Sequence, residues 1–147
     1  TNLPKIPNEE KATLALCMGD TLTHLPSREQ VQQFFKDVLD KLSKDGIFVM
    51  TYRDLTSELI GTERFIPVRS DEEKVMICFL EFENTESVLV YDLVHLRGTD
   101  GGVLEKSCYR KLRLPQRWVS QELKNAGFRV LSEGLTGRFT TLIARKE

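Results

Sequence analysis

The sequence has few cysteines, and their spacing argues against several classes of protein. Its 147 residues include only Cys17, Cys78 and Cys108, which are far apart and form no C-x-x-C pair. An odd number of isolated cysteines does not make a disulfide framework or a cysteine zinc site. We therefore expect reduced thiols in a cytosolic protein.

The sequence also lacks a strong net charge and a long apolar run. Its 21 basic and 22 acidic residues give a formal net charge of −1, which argues against nucleic acid or an anionic membrane as a partner. No apolar stretch approaches the roughly 18 residues of a membrane span. No basic-then-apolar signal pattern opens the sequence.

Two motifs that would identify an enzyme directly are missing. There is no G-x-S-x-G nucleophile elbow, which argues against a hydrolase on an α/β scaffold. The clustered glycines Gly98, Gly101 and Gly102 neither follow a parallel strand nor precede a helix. A backbone cradle for phosphate needs that context, so these glycines predict a turn.

The most informative stretch is the apolar run Leu14–Met18, which stops at Gly19 and Asp20. An apolar run without alternation predicts a strand of a parallel sheet, here over residues 12–18, buried on both faces. Residues after the carboxyl end of such a strand enter the crevice where open α/β sheets bind ligands. The first candidates for function are therefore Gly19, Asp20, Thr21, Thr23 and His24.

An amphipathic helix follows, predicted from Ser27 to about Lys44. Ser27 and Gln30 form a capping-box pattern at its start, and Gly46 is the expected left-handed residue that ends it. Its apolar stripe has helical spacing and consists of Val31, Phe34, Phe35, Val38, Leu39 and Leu42.

The run Ile47–Tyr52 predicts a second parallel strand, followed by Arg53 and Asp54. Strand, helix and strand form a βαβ unit, whose two strands end at the same edge of the sheet. This connection predicts that Asp20 and His24 lie beside Tyr52, Arg53 and Asp54.

The rest of the sequence predicts an insertion and a closing segment within a single domain, 1–147. Residues 64–114 contain β-rich runs separated by turns, which predict an inserted antiparallel meander. Pro115 and Gly127 mark the start and end of a second helix. Two strands over 128–135 and 139–144 close the chain as a hairpin.

This order resembles the second half of class I S-adenosylmethionine-dependent methyltransferases. Leu16-Cys-Met-Gly-Asp-Thr-Leu-Thr-His-Leu25 resembles the segment after their fourth strand, and Val49-Met-Thr-Tyr-Arg-Asp54 the end of their fifth. Leu123-Lys-Asn-Ala-Gly-Phe128 and Thr141-Leu-Ile-Ala-Arg145 resemble their last helix and final strand. The resemblance is strongest to small-molecule N-methyltransferases of the glycine and sarcosine type. It implies an α/β fold that contains part of the family's Rossmann-like sheet, namely its strands 4 to 7, with the antiparallel meander inserted.

The resemblance also implies site residues and ligands. Met18, Gly19 and Leu22 are expected against S-adenosylmethionine. Four residues are expected to bind a small-molecule methyl acceptor, namely Asp20, His24, Tyr52 and Arg53. No catalytic residue and no metal are implied, since methyl transfer depends chiefly on placing donor and acceptor in line.

Alternatives stay open for three of the substrate-binding candidates. His24 either positions a substrate or hydrogen-bonds the backbone at the helix entry. Arg53 either clasps a carboxylate or forms a salt bridge with Asp20 or Asp54. Asp20 fits a helix-entry turn as well as it fits an acceptor site, and the glycine-type enzymes usually have asparagine there.

The sequence departs from the family in its first half. The family holds its cofactor mainly with a glycine-rich loop after strand one and an acidic residue after strand two, and neither is present here. We therefore expect a fragment, a truncated form or one part of a two-chain assembly that is inactive alone. The alternative is a non-catalytic module whose exposed sheet edge pairs with another chain, giving a homo-oligomer.

Overall fold

The computed structural model describes residues 10–98 and 101–147, which form two compact units. Unit 1 contains the described residues through Leu55 together with Leu114–Glu147, and unit 2 contains Thr56–Arg113. Unit 2 thus includes the predicted insertion, 64–114, except Leu114, and begins eight residues before it. The assignment of the whole chain to a single domain stays a prediction.

Unit 1 is a four-stranded mixed sheet with two α-helices. Its strands and α-helices in chain order are β1 (Ala12–Cys17), α1 (Arg28–Lys41), β2 (Leu42–Tyr52), α2 (Gln116–Ala126), β7 (Phe128–Thr136) and β8 (Phe139–Lys146). The strands have the order β1-β2-β8-β7 in the sheet. β1 and β2 are parallel, whereas β8 is antiparallel to both β2 and β7. The predicted βαβ unit and closing hairpin are confirmed.

The core of unit 1 lies between one face of this sheet and the two helices. Phe34 and Phe35 of α1 meet Phe48 of β2 with ring centroids 6.1 and 6.3 Å apart, and Phe48 lies 5.7 Å from Phe128. All four rings are buried. The part of the predicted apolar stripe that is buried in α1, namely Val31, Phe34, Phe35 and Val38, is therefore the face that packs on the sheet, whereas Leu42 belongs to β2.

The helix α1 begins as predicted but ends earlier. Ser27 is its N-cap, and its hydroxyl accepts a hydrogen bond from the backbone N–H of Gln30 at 3.3 Å. The helix stops at Lys41, not Lys44, and the left-handed residue is Asp45 rather than Gly46. Gly46 is needed for another reason, since a Cβ there would lie 2.9 Å from the Ser43 carbonyl oxygen.

The early end of α1 is stabilised by a residue far along the sequence. Lys146 Nζ donates to the carbonyl oxygens of Leu39 and Leu42 at 2.7 and 2.9 Å. These carbonyls belong to the helix end, where the Leu39 carbonyl oxygen also accepts a hydrogen bond from the backbone N–H of the C-cap residue Leu42. A lysine charge also suits the negative end of the helix dipole. The last strand thus stabilises the end of the first helix.

The strand β1 is correctly predicted as parallel, but the prediction that it is buried on both faces is wrong. Its partners in β2 run from Leu14 opposite Ile47 to Cys17 opposite Met50. Cys17 is buried on the helix-covered face, whereas Leu14 and Leu16 are 52% and 61% exposed on the other. β1 is an edge strand among the described residues, and both helices pack on one face only, which leaves these leucines uncovered.

Unit 2 is a four-stranded antiparallel meander, as the sequence predicts, with strand order β3-β4-β5-β6. Its strands are β3 (Phe65–Ser70), β4 (Lys74–Phe82), β5 (Ser87–Leu96) and β6 (Val103–Leu112). The sequence did not predict β3, which contains Pro67 and an irregularity between Pro67 and Arg69. A proline inside a run favours an edge strand, and β3 is an edge.

Arg113 holds one end of unit 2 together. Its side chain is only 4% exposed. The guanidinium donates to Glu58 Oε1 at 2.8 Å, to the Thr56 carbonyl oxygen at 2.8 Å and to the carbonyl oxygen of Asn84. It also lies 5.0 Å from the ring centroid of Phe82. A buried guanidinium needs such a set of acceptors, because an unpaired buried charge is costly.

Candidate functional site

The candidate site lies in unit 1, where β1 and β2 both end. Gly19 begins the turn after β1 with a φ of +73°, a conformation that favours glycine. The Thr51 hydroxyl accepts a hydrogen bond from the Gly19 N–H at 2.8 Å and lies 3.4 Å from the Gly19 carbonyl oxygen. The turn is thereby fixed to the neighbouring strand.

Asp20 joins the two strand ends through its carboxylate. Oδ1 accepts a hydrogen bond from the backbone N–H of Arg53 at 2.8 Å, and Oδ2 lies 3.9 Å from Arg53 Nε. The Asp20 side chain is 14% exposed and that of Arg53 is 34% exposed. The predicted meeting of Asp20 and Arg53 is confirmed, and of the alternatives for Arg53 the structure contains the ion pair with Asp20.

Arg53 also stacks on a residue of β8. Its guanidinium carbon lies 5.2 Å from the ring centroid of Phe139, which is a cation–π distance. Within the described residues Arg53 Nε has no hydrogen-bond partner, although it is buried. The guanidinium is thus oriented by the Asp20 carboxylate, in the turn after β1, and by the Phe139 ring on β8. Its N–H donors lie beside the edge of the sheet where β1 and β2 end.

Tyr52 belongs to the core of unit 1. Its side chain is completely buried, and its hydroxyl has no hydrogen-bond partner among the residues that the structure describes. Thr140, directly opposite on β8, is also buried with an unpartnered hydroxyl. Burial raises the pKa of Tyr52 well above its ordinary value, and the carboxylates of Asp54 and Glu133 raise it further. Tyr52 is therefore a neutral hydroxyl whose role in acceptor binding stays a prediction.

The residues predicted to bind the cofactor are in different environments. Met18 is 50% exposed, and a Cβ on Gly19 would contact no described residue within 4 Å, so both border open space. Leu22 is 1% exposed and lies in the core. It belongs to the short 3₁₀ helix Thr21–His24, on which His24 is exposed. The cofactor-binding roles of Met18, Gly19 and Leu22 and the substrate-binding role of His24 stay predictions.

Two threonine hydroxyls keep this 3₁₀ turn in place. Thr21 Oγ1 donates to the Met18 carbonyl oxygen at 3.0 Å, and buried Thr23 Oγ1 donates to the Asp20 carbonyl oxygen at 2.7 Å. Short polar side chains commonly bond nearby backbone groups in this way at helix entries. Thr21 and Thr23, which the sequence placed among the first candidates, thus have a structural role here.

Asp54 connects the end of β2 to the start of α2. Its Oδ2 accepts a hydrogen bond from the backbone N–H of Gln116 at 3.2 Å. The N-cap residue Pro115 offers no side-chain cap, so a carboxylate 62 residues away takes that place. An acid at this position also suits the positive end of the helix dipole.

Sequence reasoning missed three residues of the site. Thr51 was predicted only as part of an apolar strand. Its hydroxyl lies one residue before the end of β2, and a polar side chain at that point could have marked it as a candidate site residue. Phe139 and Thr140 are separated from Arg53 by more than 80 residues. Only the register of β2 against β8, with Tyr52 opposite Thr140, reveals that they share the site.

Within the described part of the chain, no group of three or more histidine, cysteine, aspartate or glutamate residues could hold a metal ion. No helix in this part is long and apolar enough to cross a membrane.

All three cysteines are free, with Cys17 and Cys78 buried and Cys108 exposed. Burial raises the pKa of the Cys17 thiol to about 11. This thiol is therefore protonated and inert near neutral pH.

A mixed sheet of two parallel strands and a closing antiparallel hairpin, with two helices on one face, is part of the class I S-adenosylmethionine-dependent methyltransferase fold. Solved structures bear this out. The chain superposes on an S-adenosylmethionine-dependent methyltransferase from Clostridium acetobutylicum with a TM-score of 0.77 at 15% identity, over 94% of this chain and 59% of the other.

Two further similar structures are bacterial methyltransferases. The CcbJ methyltransferase of Streptomyces caelestis matches with a TM-score of 0.78 at 14% identity, over 99% of this chain and 60% of its own. CalS10, an amino pentose methyltransferase of Micromonospora echinaspora, matches with a TM-score of 0.75 at 11% identity, over 95% and 60%. The chain therefore spans about 60% of the length of these enzymes. No protein-family model and no curated protein matches its sequence.

Proposed function

We propose that this chain is the acceptor-binding part of an S-adenosylmethionine-dependent methyltransferase that acts on a small molecule. The observation that carries the proposal is the sheet order β1-β2-β8-β7 with parallel β1 and β2, together with its match to methyltransferases at TM-scores of 0.75 to 0.78. The reaction would transfer the sulfonium methyl group in line to an amine, hydroxyl or thiol.

The described residues fit the cofactor only in part. Met18 and Gly19 border open space at the end of β1, so they would contact S-adenosylmethionine there. When bound, the cofactor supplies an electrophilic methyl group. The chain's own contribution is to hold the acceptor, with the Arg53 guanidinium oriented by Asp20 and Phe139 to pair with an anionic or hydroxyl-bearing group.

We expect the chain to need the rest of this fold for activity. The uncovered leucines of β1, Leu14 and Leu16, are where further strands and helices of a complete sheet would add. Positioning of donor and acceptor supplies roughly 7–11 kcal/mol of the barrier reduction in such reactions. A chain that holds the acceptor but grips the donor weakly would lose most of this, so we propose that it acts in the cytosol together with the remaining part of the fold.

Titration with S-adenosylhomocysteine, followed by two-dimensional NMR of the labelled chain, tests this proposal. We expect weak binding, with shift changes centred on the Met18 and Gly19 amides, and no heat signal at micromolar concentration in a calorimetric titration. A Met18→Trp variant is the matched control, because its larger side chain would occupy the open space without straining the backbone of Gly19, and it should lose the shift changes. Shift changes spread evenly over both units would contradict the proposed site, and micromolar binding would contradict the expected incompleteness.

A second candidate function is a non-catalytic binding module. The observation that favours it is the apolar edge strand β1, with Leu14 and Leu16 more than half exposed. A bare edge of this kind is a template for pairing with a strand of another polypeptide. A Thr13→Pro variant would block such pairing, and unchanged association of the chain with its partners would then rule out this candidate.

A further inference from the structure

The chain passes between unit 1 and unit 2 at two places. The first crossing follows Leu55 and the second follows Arg113. The first lies within residues 53–60, which form neither helix nor strand and connect β2 to the 3₁₀ helix Gly61–Arg64. A segment without a regular pattern of backbone hydrogen bonds needs other partners to fix its course. We call residues 53–60 the connecting segment, and its first residue is Arg53.

Contacts at two points hold the connecting segment. At its start, the Arg53 backbone N–H donates to the Asp20 carboxylate at 2.8 Å. Further along, Arg113 donates to the Thr56 carbonyl oxygen and to Glu58 Oε1, both at 2.8 Å. Neighbouring Cα atoms are about 3.8 Å apart, so Thr56 lies no more than about 11 Å from Arg53. A displacement of Thr56 is therefore passed to Arg53 through only two intervening residues.

Arg113 is itself firmly held. Its backbone N–H donates to the Glu86 carbonyl oxygen at 2.8 Å, and its guanidinium donates to the Asn84 carbonyl oxygen. Both carbonyls belong to the turn between β4 and β5. The guanidinium carbon also lies 5.0 Å from the centroid of the Phe82 ring, and the side chain is almost fully buried. A buried side chain with this many hydrogen bonds has little freedom, so Arg113 is a rigid support for Thr56.

The stretch that follows Arg113 holds the connecting segment at a further point. Gln116, three residues later, donates its backbone N–H to Asp54 Oδ2 at 3.2 Å. Asp54 directly follows Arg53, so this stretch also fixes the chain on the carboxyl side of Arg53. On its amino side lies β2, which pairs with β1 and with β8. Arg53 thus lies between a strand fixed by its neighbours in the sheet and a segment fixed by residues 113–116.

We propose that Arg113 is a positioning residue for Arg53, acting through the connecting segment. This inference rests on the proposed function, in which the Arg53 guanidinium holds the methyl acceptor. Positioning matters for in-line transfer, since a misplacement of about 1 Å can cost roughly 100-fold in rate. The planar guanidinium of Arg113 presents several donors in a fixed geometry, whereas a lysine ammonium is a point charge. A positive charge alone should therefore not replace Arg113.

Two-dimensional NMR of the isotope-labelled full chain tests the proposal. The signals of the Arg53 backbone N–H and side-chain Nε–H report the position of this residue directly. We expect Arg113→Lys to shift both signals and to quicken hydrogen exchange of the Arg53 amide several-fold, while the Gln30 amide of α1 is unchanged. Arg110→Lys is the matched control, because it makes the same change at an arginine of β6 whose partner is Glu83. This control should leave both Arg53 signals in place.

Glu58→Lys provides a second variant that leaves the buried arginine intact. Glu58 is 59% exposed, so the change should be tolerated, and it removes one acceptor of Arg113. We expect the Arg53 signals to shift in the same direction as in Arg113→Lys, but less. Unchanged Arg53 signals in either folded variant, or equal shifts in Arg110→Lys, would overturn the proposal. Neither readout requires bound cofactor or acceptor, so a failed titration with S-adenosylhomocysteine would contradict the proposed function alone.

Discussion

The Asp20 carboxylate accepts a hydrogen bond from the backbone N–H of Arg53 at 2.8 Å, which ties the turn after β1 to the end of β2. The two residues are 33 positions apart in sequence, and the α1 crossover brings them together. The same carboxylate lies 3.9 Å from the Arg53 side chain. One acid therefore fixes both the backbone and the side chain of the residue proposed to hold the acceptor.

Replacing Asp20 should loosen this edge of the sheet. We expect Asp20→Ala to lower the free energy of unfolding by about 1.5–3 kcal/mol, because hydrogen bonds to charged groups contribute that much. Asp20→Asn keeps an oxygen acceptor and is the matched control, with a smaller loss. Urea denaturation measures both. Equal losses for the two variants would indicate that the acceptor oxygen is not what stabilises the turn.

Replacing Asp54 should loosen the start of α2. Its carboxylate serves as the missing cap for the Gln116 N–H, so Asp54→Ala should cost about 0.5–2 kcal/mol, as the loss of an N-cap does. Hydrogen exchange at Gln116 and Arg117 should quicken in this variant. Asp54→Asn should preserve most of the protection, and unchanged exchange in Asp54→Ala would contradict the capping role.

The Glu83–Arg110 pair should make unit 2 sensitive to acid. The Arg110 guanidinium holds the pKa of Glu83 at about 2, below its ordinary value of 4.5. A lowered folded-state pKa means that the pair contributes stability above pH 4.5 and loses it as the pH falls towards 2. Stability should therefore decline with acid over this window, and Glu83→Gln should flatten that decline.

Arg110→Gln provides the control for this pair. Because each variant removes the same interaction, the double variant should be no less stable than either single variant at pH 7. Additive losses in a denaturation series would mean that the two residues act independently.

The three thiols should differ strongly in reactivity. Cys108 is exposed, whereas Cys17 and Cys78 are buried, so a dilute native sample should react with one equivalent of a thiol reagent and a urea-unfolded sample with three. Cys108→Ser should abolish the native reaction. Burial raises the pKa of Cys17 from 9.0 to about 11, because the folded protein disfavours the thiolate. The stability that the protonated Cys17 thiol contributes is therefore fully present below pH 9 and is lost as the pH rises through 11. Rapid native labelling of Cys17 would contradict its burial.

The sequence was sufficient to predict elements whose signals are local. The Ser27 cap and the apolar stripe of α1 predicted its start and its packed face, and the crossover rule then placed Asp20 beside Arg53. Long-range contacts decide the features that were missed. The end of α1 is stabilised by Lys146, and the exposure of Leu14 and Leu16 depends on which elements cover the sheet, which an apolar run does not specify.

The candidate site was predictable where it follows a strand end and unpredictable where it depends on register. Asp20 and Arg53 follow the two parallel strands, so their meeting could be inferred. Phe139 and Thr140 join them only because β8 pairs with β2 in one particular register. A shift of one residue would turn Thr140 to the opposite face.

The discontinuity of unit 1 has a consequence for synthesis on the ribosome. Unit 2 is a contiguous meander of local strand pairs, and such low contact order favours early folding. Unit 1 cannot complete its sheet until β8 emerges, because β2 pairs with residues nearly one hundred positions later. The apolar β1 and β2 must therefore wait until β8 has been synthesised, which makes the nascent chain a candidate client for chaperones.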